Sequence, residues 1–259
     1  MLKKLIKYDL LWINRVMVFY YALTVLLSIL TRIASNFTDT PFGGMLYDIL
    51  RGVTIAAFVN VIINASIRIW ERFRQNCYKD ESYLTHTLPV TRGQLYDGKS
   101  LSALISIILA LAVVIGSFFI AFWCDDLYQY FRHLTDFGDM GFVLGGVFVT
   151  AILEVLYVIV VGIFGIVLGH RSNSNRVLCS VLIGMMLYFT LQTVLVAVIF
   201  VAGFFDDSIK AMFSSNPDNS ISFASYRTLI ILSDVSYLLL NVGLYFGGKK
   251  NFEKGVNVE

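Results

Sequence analysis

Ala103 to Ala121 reads ALISIILALAVVIGSFFIA, nineteen residues without a single charge. Wound into a helix, this run is apolar on every side, so it cannot sit half in a protein core and half in water. A bilayer core of roughly 30 Å needs about 20 such residues. A membrane barrel would instead show strands of about ten residues that alternate in polarity, and this run does not alternate. Working outward from it, six runs reach spanning length, at about 16–34, 46–70, 101–124, 142–169, 177–205 and 227–247. Hydrophobic residues make up 57% of the chain and charged ones 15%, with three prolines and a mean hydropathy of +0.73, which excludes a soluble domain of this length. The expected fold is an all-α integral membrane protein, a single transmembrane domain over residues 1–259.

Orientation follows from the lysines and arginines flanking the spans. Fifteen of the twenty fall on one side: Lys3, Lys4, Lys7 and Arg15 before span one, six from Arg68 to Lys99, Arg171 and Arg176, and Lys249, Lys250 and Lys254. The other side carries Arg32, Arg51, Arg132, Lys210 and Arg227 among many aspartates, with Asp125-Asp126 and Asp206-Asp207 where spans three and five end. Both termini are therefore expected in the cytoplasm. The net charge of +2 hides this asymmetry and implies no nucleic-acid partner.

Lys3, Lys4 and Lys7 before an apolar run raise the question of a signal peptide. The run is longer than an h-region, ends in Thr31-Arg32 rather than a small-residue cleavage site, and precedes five more spans, so it reads as a retained first helix. Ahead of it Leu2, Leu5, Ile6, Leu10 and Ile13 interleave with Lys3, Lys4, Lys7, Asp9 and Asn14 at helical spacing, which predicts a short interfacial helix. Cys77, Cys124 and Cys179 show no pairing or metal spacing, and His86, His133 and His170 lie in three separate connections, so no zinc array is expected. No G-x-x-x-x-G-K-[ST] occurs, so this chain is expected to bind no nucleotide, no metal and no cofactor, and to have no catalytic residues. The Asn36-Phe37-Thr38 sequon carries no weight at that length.

Within the spans, the informative residues are those that hydrocarbon rejects. Glu154 and Asp234 each lie about a third of the way into a span, where exposure to lipid would cost about 2.5 to 3.5 kcal/mol, so they should face protein or water. Asn60, Asn64 and Arg68 recur at i, i+4, i+8, and Gln192 and Thr193 occupy the middle of span five. Asn60, Asn64, Glu154, Gln192 and Asp234 either line a translocation path or bond neighbouring helices. Gly141, Gly145, Gly162, Gly165 and Gly169 fit close helix packing. The connection from Asp206 to Tyr226 is too apolar for a free loop and reads as a re-entrant or interfacial element.

The connection between spans two and three, residues 71–99, is the longest polar interruption on the basic side. Trp70 suits an interfacial anchor, and Glu71-Arg72-Phe73-Arg74 continues the helix with i,i+3 charge contacts. Asp80 is positioned to cap a short helix of about two turns that Pro89 ends. Thr91-Arg92-Gly93-Gln94 has the form of a capping box, so a further helix starts there and runs through Lys99 into span three. The expected geometry is helix, short cross-helix, helix, with Tyr83, Leu84, His86 and Leu88 offered for docking.

Asp80-Glu81-Ser82-Tyr83-Leu84-Thr85-His86-Thr87-Leu88-Pro89-Val90-Thr91-Arg92, followed by Gln94-Leu95-Tyr96-Asp97-Gly98-Lys99, together with six spans and no P-loop, resembles the permease subunit of a bacterial ABC-2-type exporter. The resemblance covers the whole chain in topology and about residues 80–99 in detail. It implies that the short helix is a coupling helix resting in a groove of a partner ABC ATPase, with Asp80, Glu81, Tyr83, Leu84, Thr85, His86, Leu88 and Pro89 as the coupling set. It implies two ATPase copies holding Mg-ATP, and a second permease chain, the same or homologous. It also implies a bacterial cell membrane and export of an amphipathic or hydrophobic peptide, lipid or drug by alternating access. Two alternatives stand beside it. A secondary transporter would use Glu154 and Asp234 for ion coupling, and an intramembrane enzyme would need a catalytic constellation that is not found.

Overall fold

The structure, a computed structural model, describes residues 2–79, 81–123, 138–172, 175–205, 209–210 and 223–255. Among these, the regular structure is helical: α1 (Leu2–Ala34), α2 (Pro41–Tyr78), α3 (Ser82–His86), α4 (Arg92–Phe122), α5 (Gly138–Gly169), α6 (Arg176–Ala202) and α7 (Phe223–Glu253), with a 3-10 turn at Ser35–Phe37. All but α3 are long and apolar enough to cross a membrane. The chain is thus a multi-pass, all-helical membrane protein, and six is the number of spans that the apolar runs require.

The separate interfacial helix expected ahead of span one is not separate. Leu2 to Ala34 is one unbroken helix of 33 residues, and no glycine or proline interrupts it. At 1.5 Å per residue α1 is about 50 Å long and the 38-residue α2 about 57 Å, so both exceed a bilayer core of roughly 30 Å. The first turns of α1 and the last turns of α2, beyond Trp70, extend past the spans expected at 16–34 and 46–70. Local chemistry sets the other boundaries. Thr40 accepts a hydrogen bond from Gly43 N at 3.1 Å, and Pro41 follows it, so α2 starts earlier than residue 46. The expected capping box is present: Gln94 N donates to Thr91 Oγ1 at 3.3 Å and Thr91 N to Gln94 Oε1 at 3.1 Å. Asp80, Cys124, His133, Asp125-Asp126 and most of the 206–226 segment lie outside the described residues.

The helices form two compact units, α1 to α4 and α5 to α7. In the first, α1 packs along α4 and α2, and its buried face at span depth is Met17, Thr24, Ser28 and Thr31. Small side chains let the backbones approach: α4 presents Ser102, Ala103, Ser106, Ala110, Ser117 and Ala121, while Thr31 and Thr54 hydroxyls meet at 2.7 Å between α1 and α2. At the far ends of this bundle the Arg32 guanidinium donates to the Trp123 carbonyl.

In the second unit α5 packs on α7 and α6, and α6 also meets α7. The core is Tyr157, Val161, Leu195 and Tyr237, with Leu153, Leu191 and Leu240 against it. Two of the glycines expected to permit close packing do so. A Cβ on Gly165 would stand 2.9 Å from Gly184 Cα and 3.0 Å from the Ser180 carbonyl oxygen, and one on Gly169 would run into Ser180. Gly145, expected in the same role, faces open space, and its neighbour Gly146 is the one that meets Ile230 of α7.

Gly165→Val should therefore lower the stability of the purified protein by about 1–3 kcal/mol or more, because neither backbone can recede. Gly145→Ala should stay within about 0.5 kcal/mol of the parent. Thermal unfolding in detergent compares the two, and equal melting would refute the close approach of α5 and α6.

Candidate functional site

The described part of the 71–99 connection closes on a buried ionic junction at the N-terminal end of α1. Asp9 shares the buried face of α1 with Ile13 and Met17, at i, i+4 and i+8, and is 1% exposed. Its Oδ1 and Oδ2 accept from Lys99 Nζ at 2.8 and 2.6 Å, and Oδ1 also accepts from Arg72 Nε at 2.9 Å. Lys99, 3% exposed, donates in addition to the side-chain oxygen of Asn76. Asn76 Nδ2 and Arg72 Nη1 both donate to Glu81 Oε2, at 2.6 and 2.9 Å. Two cations and two carboxylates thus neutralise one another across α1, α2, α4 and the residue that opens α3.

While Glu81 stays about half exposed, apolar groups enclose the Asp9–Lys99 pair. Phe73, Cys77, Tyr78, Leu95 and Tyr96 are buried around it, the Phe73 and Tyr96 rings meet edge to face at 6.1 Å, and the Trp12 ring lies 5.2 Å from the Arg72 guanidinium carbon. Gly98 allows the start of α1 onto α4, since a Cβ there would be 3.2 Å from Leu5 Cδ2. Burial pushes the thiol of Cys77, which lies in the extension of α2 beyond Trp70, up to about 12, while Lys99 pulls the other way. The thiol is consequently protonated at neutral pH and shielded from reagents.

This junction also decides which way α3 faces. Glu81 occupies the N-cap position but makes no side-chain cap, because its carboxylate is held by Arg72 and Asn76. Thr85, one turn on, points inward at 6% exposed and donates to the Glu81 carbonyl. Tyr83 is 77% exposed, Leu84 68% and Leu88 39%. Of the expected docking set, the outward apolar residues are Tyr83, Leu84 and Leu88. Glu81 and Thr85 fasten the helix instead, and the side chain of His86 lies outside the description. The helix has five residues rather than about two turns, and its polypeptide bends at Leu88-Pro89-Val90 before α4.

Asp9 and Lys99 were legible only as a polar position on an amphipathic segment and as a topology charge. The missed signal is the acid at Asp9 on the stripe that continues through Ile13 and Met17, since a charge on a buried stripe requires a counter-charge. The expected i,i+3 charge contact in the extension of α2 forms one residue earlier than Arg72. Arg68 and Glu71 make that contact at 3.4 Å, and Arg72 reaches Asp9, far away in sequence.

The remaining expected residues distribute over both units. In the first, Asn64 Nδ2 donates to Asn60 Oδ1 at 2.7 Å and to the Asn60 carbonyl at 2.9 Å, so the two amides pair along α2. In the second, Gln192 and the Tyr237 hydroxyl bond each other across α6 and α7, with Nε2 to Oη at 3.1 Å. Asp234 Oδ1 of α7 accepts from the Thr150 hydroxyl of α5 at 2.6 Å. Glu154 lies one turn from Thr150 on the same face of α5, half-buried and within electrostatic reach of Tyr237. No group of three or more His, Cys, Asp or Glu residues able to hold a metal occurs among the described residues.

Asp9→Asn should destabilise the protein by about 3–5 kcal/mol, because Lys99 and Arg72 would then be buried without a carboxylate. Cys77 reports this directly. In a background with Cys124 and Cys179 changed to Ser, a maleimide should leave the parent unlabelled and label the Asp9→Asn variant; equal labelling of both would refute a sealed junction. Comparison of the chain with protein-family models, with curated proteins and with solved structures finds no match.

Proposed function

We propose that this chain is the membrane-spanning permease subunit of an ATP-driven exporter of the ABC-2 type, moving an amphipathic or hydrophobic substrate by alternating access. The observation that carries the reading is α3: a five-residue helix that turns Tyr83 and Leu84 outward while Glu81 ties its base to Arg72 and Asn76. A short apolar knob on a rigid mount suits docking into a groove of another protein. The mount suits transmission, because the buried junction joins α3 to three helices at once, so displacement of α3 is carried into α1, α2 and α4.

In this reading the chain itself hydrolyses nothing. The partner is an ABC ATPase present in two copies that binds Mg-ATP, a second permease chain completes the pathway, and the chain sits in a bacterial cell membrane with both termini in the cytoplasm. Tyr83, Leu84 and Leu88 make the contact with the ATPase, and Asn60, Asn64, Glu154, Gln192 and Asp234 are the candidates for the path. A secondary transporter is the second reading, favoured by Glu154 and Asp234 facing the α5–α7 seam at span depth.

Changing Leu84 and Leu88 together to Asp should abolish co-purification of the ATPase in mild detergent while leaving this chain inserted in the membrane. Retained binding and ATP-driven transport would remove α3 from the coupling role. Transport in vesicles that follows an imposed ion gradient without ATP would favour the secondary transporter.

A further inference from the structure

The seam between α5 and α7 has more hydrogen-bond acceptors than donors. On α5, Thr150, Glu154, Tyr157 and Val161 fall at i, i+4, i+7 and i+11, and on α7, Ile230, Asp234, Tyr237 and Asn241 repeat that spacing. The two faces meet: Thr150 bonds Asp234, the Tyr157 and Tyr237 rings pack edge to face at 5.6 Å, and Asn241 Nδ2 donates to the Leu153 carbonyl at 3.2 Å. The Thr150 hydroxyl has one proton, yet the Asp234 carboxylate at 2.6 Å and the Gly146 carbonyl at 3.0 Å both stand ready to accept it.

Several nearby donors are already committed. Tyr237 and Gln192 satisfy each other, the Tyr157 hydroxyl faces the Tyr188 carbonyl at 3.5 Å, and Asn241 spends its amide protons on Leu153 and Tyr237 carbonyls. Two acceptors are left over. Glu154 makes no hydrogen bond or ion pair among the described residues, and Asn241 Oδ1 is buried with no hydrogen-bond partner among them. No lysine or arginine lies within 142–169, 177–202 or 228–247 to supply the missing protons and charge. Tyr157, three residues on from Glu154, is the centre of a ring cluster with Tyr188 and Tyr237, at 5.8 and 5.6 Å. A carboxyl group without a counter-charge, next along its helix to aromatic rings, is the chemistry that recognises an organic cation.

We infer that the substrate is a cationic amphipath, its ammonium or guanidinium group held by Glu154 and its apolar part along the apolar surface of α5 and α7. This rests on the reading of the chain as a permease and narrows its substrate class. An inorganic cation does not fit as well, because its coordination would need several oxygens converging where the structure places rings.

The test uses the purified full-length chain in lipid nanodiscs and two probes: a long-chain primary amine with a dansyl group at its far end, and the same molecule N-acetylated. Fluorescence titration should show the parent binding the amine about tenfold or more tightly than the amide, the margin expected of a hydrogen bond to a charged partner. Glu154→Gln should erase that preference and leave binding of the acetylated probe unchanged, which also reports that the variant is folded. Equal affinity of the parent for both probes would overturn the inference. A preference that survives Glu154→Gln would overturn it as well. The measurement needs no ATPase, so failure of the permease reading at α3 and failure of the cation reading at Glu154 are seen separately.

Discussion

Asp9 accepts hydrogen bonds from Lys99 and Arg72 where almost no water reaches, and the arrangement of α1 to α4 depends on this. A carboxylate that is 1% exposed is tolerable only if opposite charge and hydrogen bonds meet it from fixed directions. Those directions come from two other helices, and a third element completes the charge balance. The start of α1 must lie on α4, α2 must continue beyond its span far enough to bring Arg72 and Asn76 into reach, and α3 must begin where Glu81 can complete the neutralisation. A hydrophobic seam would tolerate sliding by a turn, whereas an ion pair of this geometry fixes register.

The two units carry their charged groups differently. In the first, charges are balanced two against two at one end of the bundle, Thr24 and Ser28 bond carbonyls of their own helix, and Thr31 and Thr54 meet between α1 and α2, while the Ser106 and Ser117 hydroxyls of α4 are buried without a partner among the described residues. In the second, Glu154 lies in a span with no lysine or arginine at 142–169, 177–202 or 228–247 to balance it. An uncompensated carboxyl group at span depth is the reason for proposing recognition at α5 and α7 and transmission at α1 to α4.

How much of this could be read in advance depended on range along the chain. The spans were legible because hydrocarbon demands an apolar run of fixed length, and Ala103–Ala121 has no other use. The start of α4 was legible because Thr91 and Gln94 satisfy each other within one turn. The Asp9–Lys99 pair was not, since its members are separated by two helices and pattern along one helix says nothing of a partner on another. Nor was the facing of α3: Tyr83, Leu84 and Thr85 are adjacent, and only the anchoring of Glu81 decides that Thr85 turns inward while the other two turn out. Gly145 and Gly165 looked alike in sequence, and the position of α6 separates them.

The continuity of α1 has a mechanical consequence. A hinge between an interfacial segment and a span would absorb any displacement at the N-terminal end locally, but α1 has no proline, glycine or break at which to bend. Its 33 residues behave as a stiff rod with the ionic junction near one end and the Thr31–Thr54 contact near the other. A tilt of about five degrees in a rod of about 50 Å sweeps its far end sideways through about 4 Å. Small leverage at Asp9 is thereby converted to a large excursion at the opposite surface of the membrane.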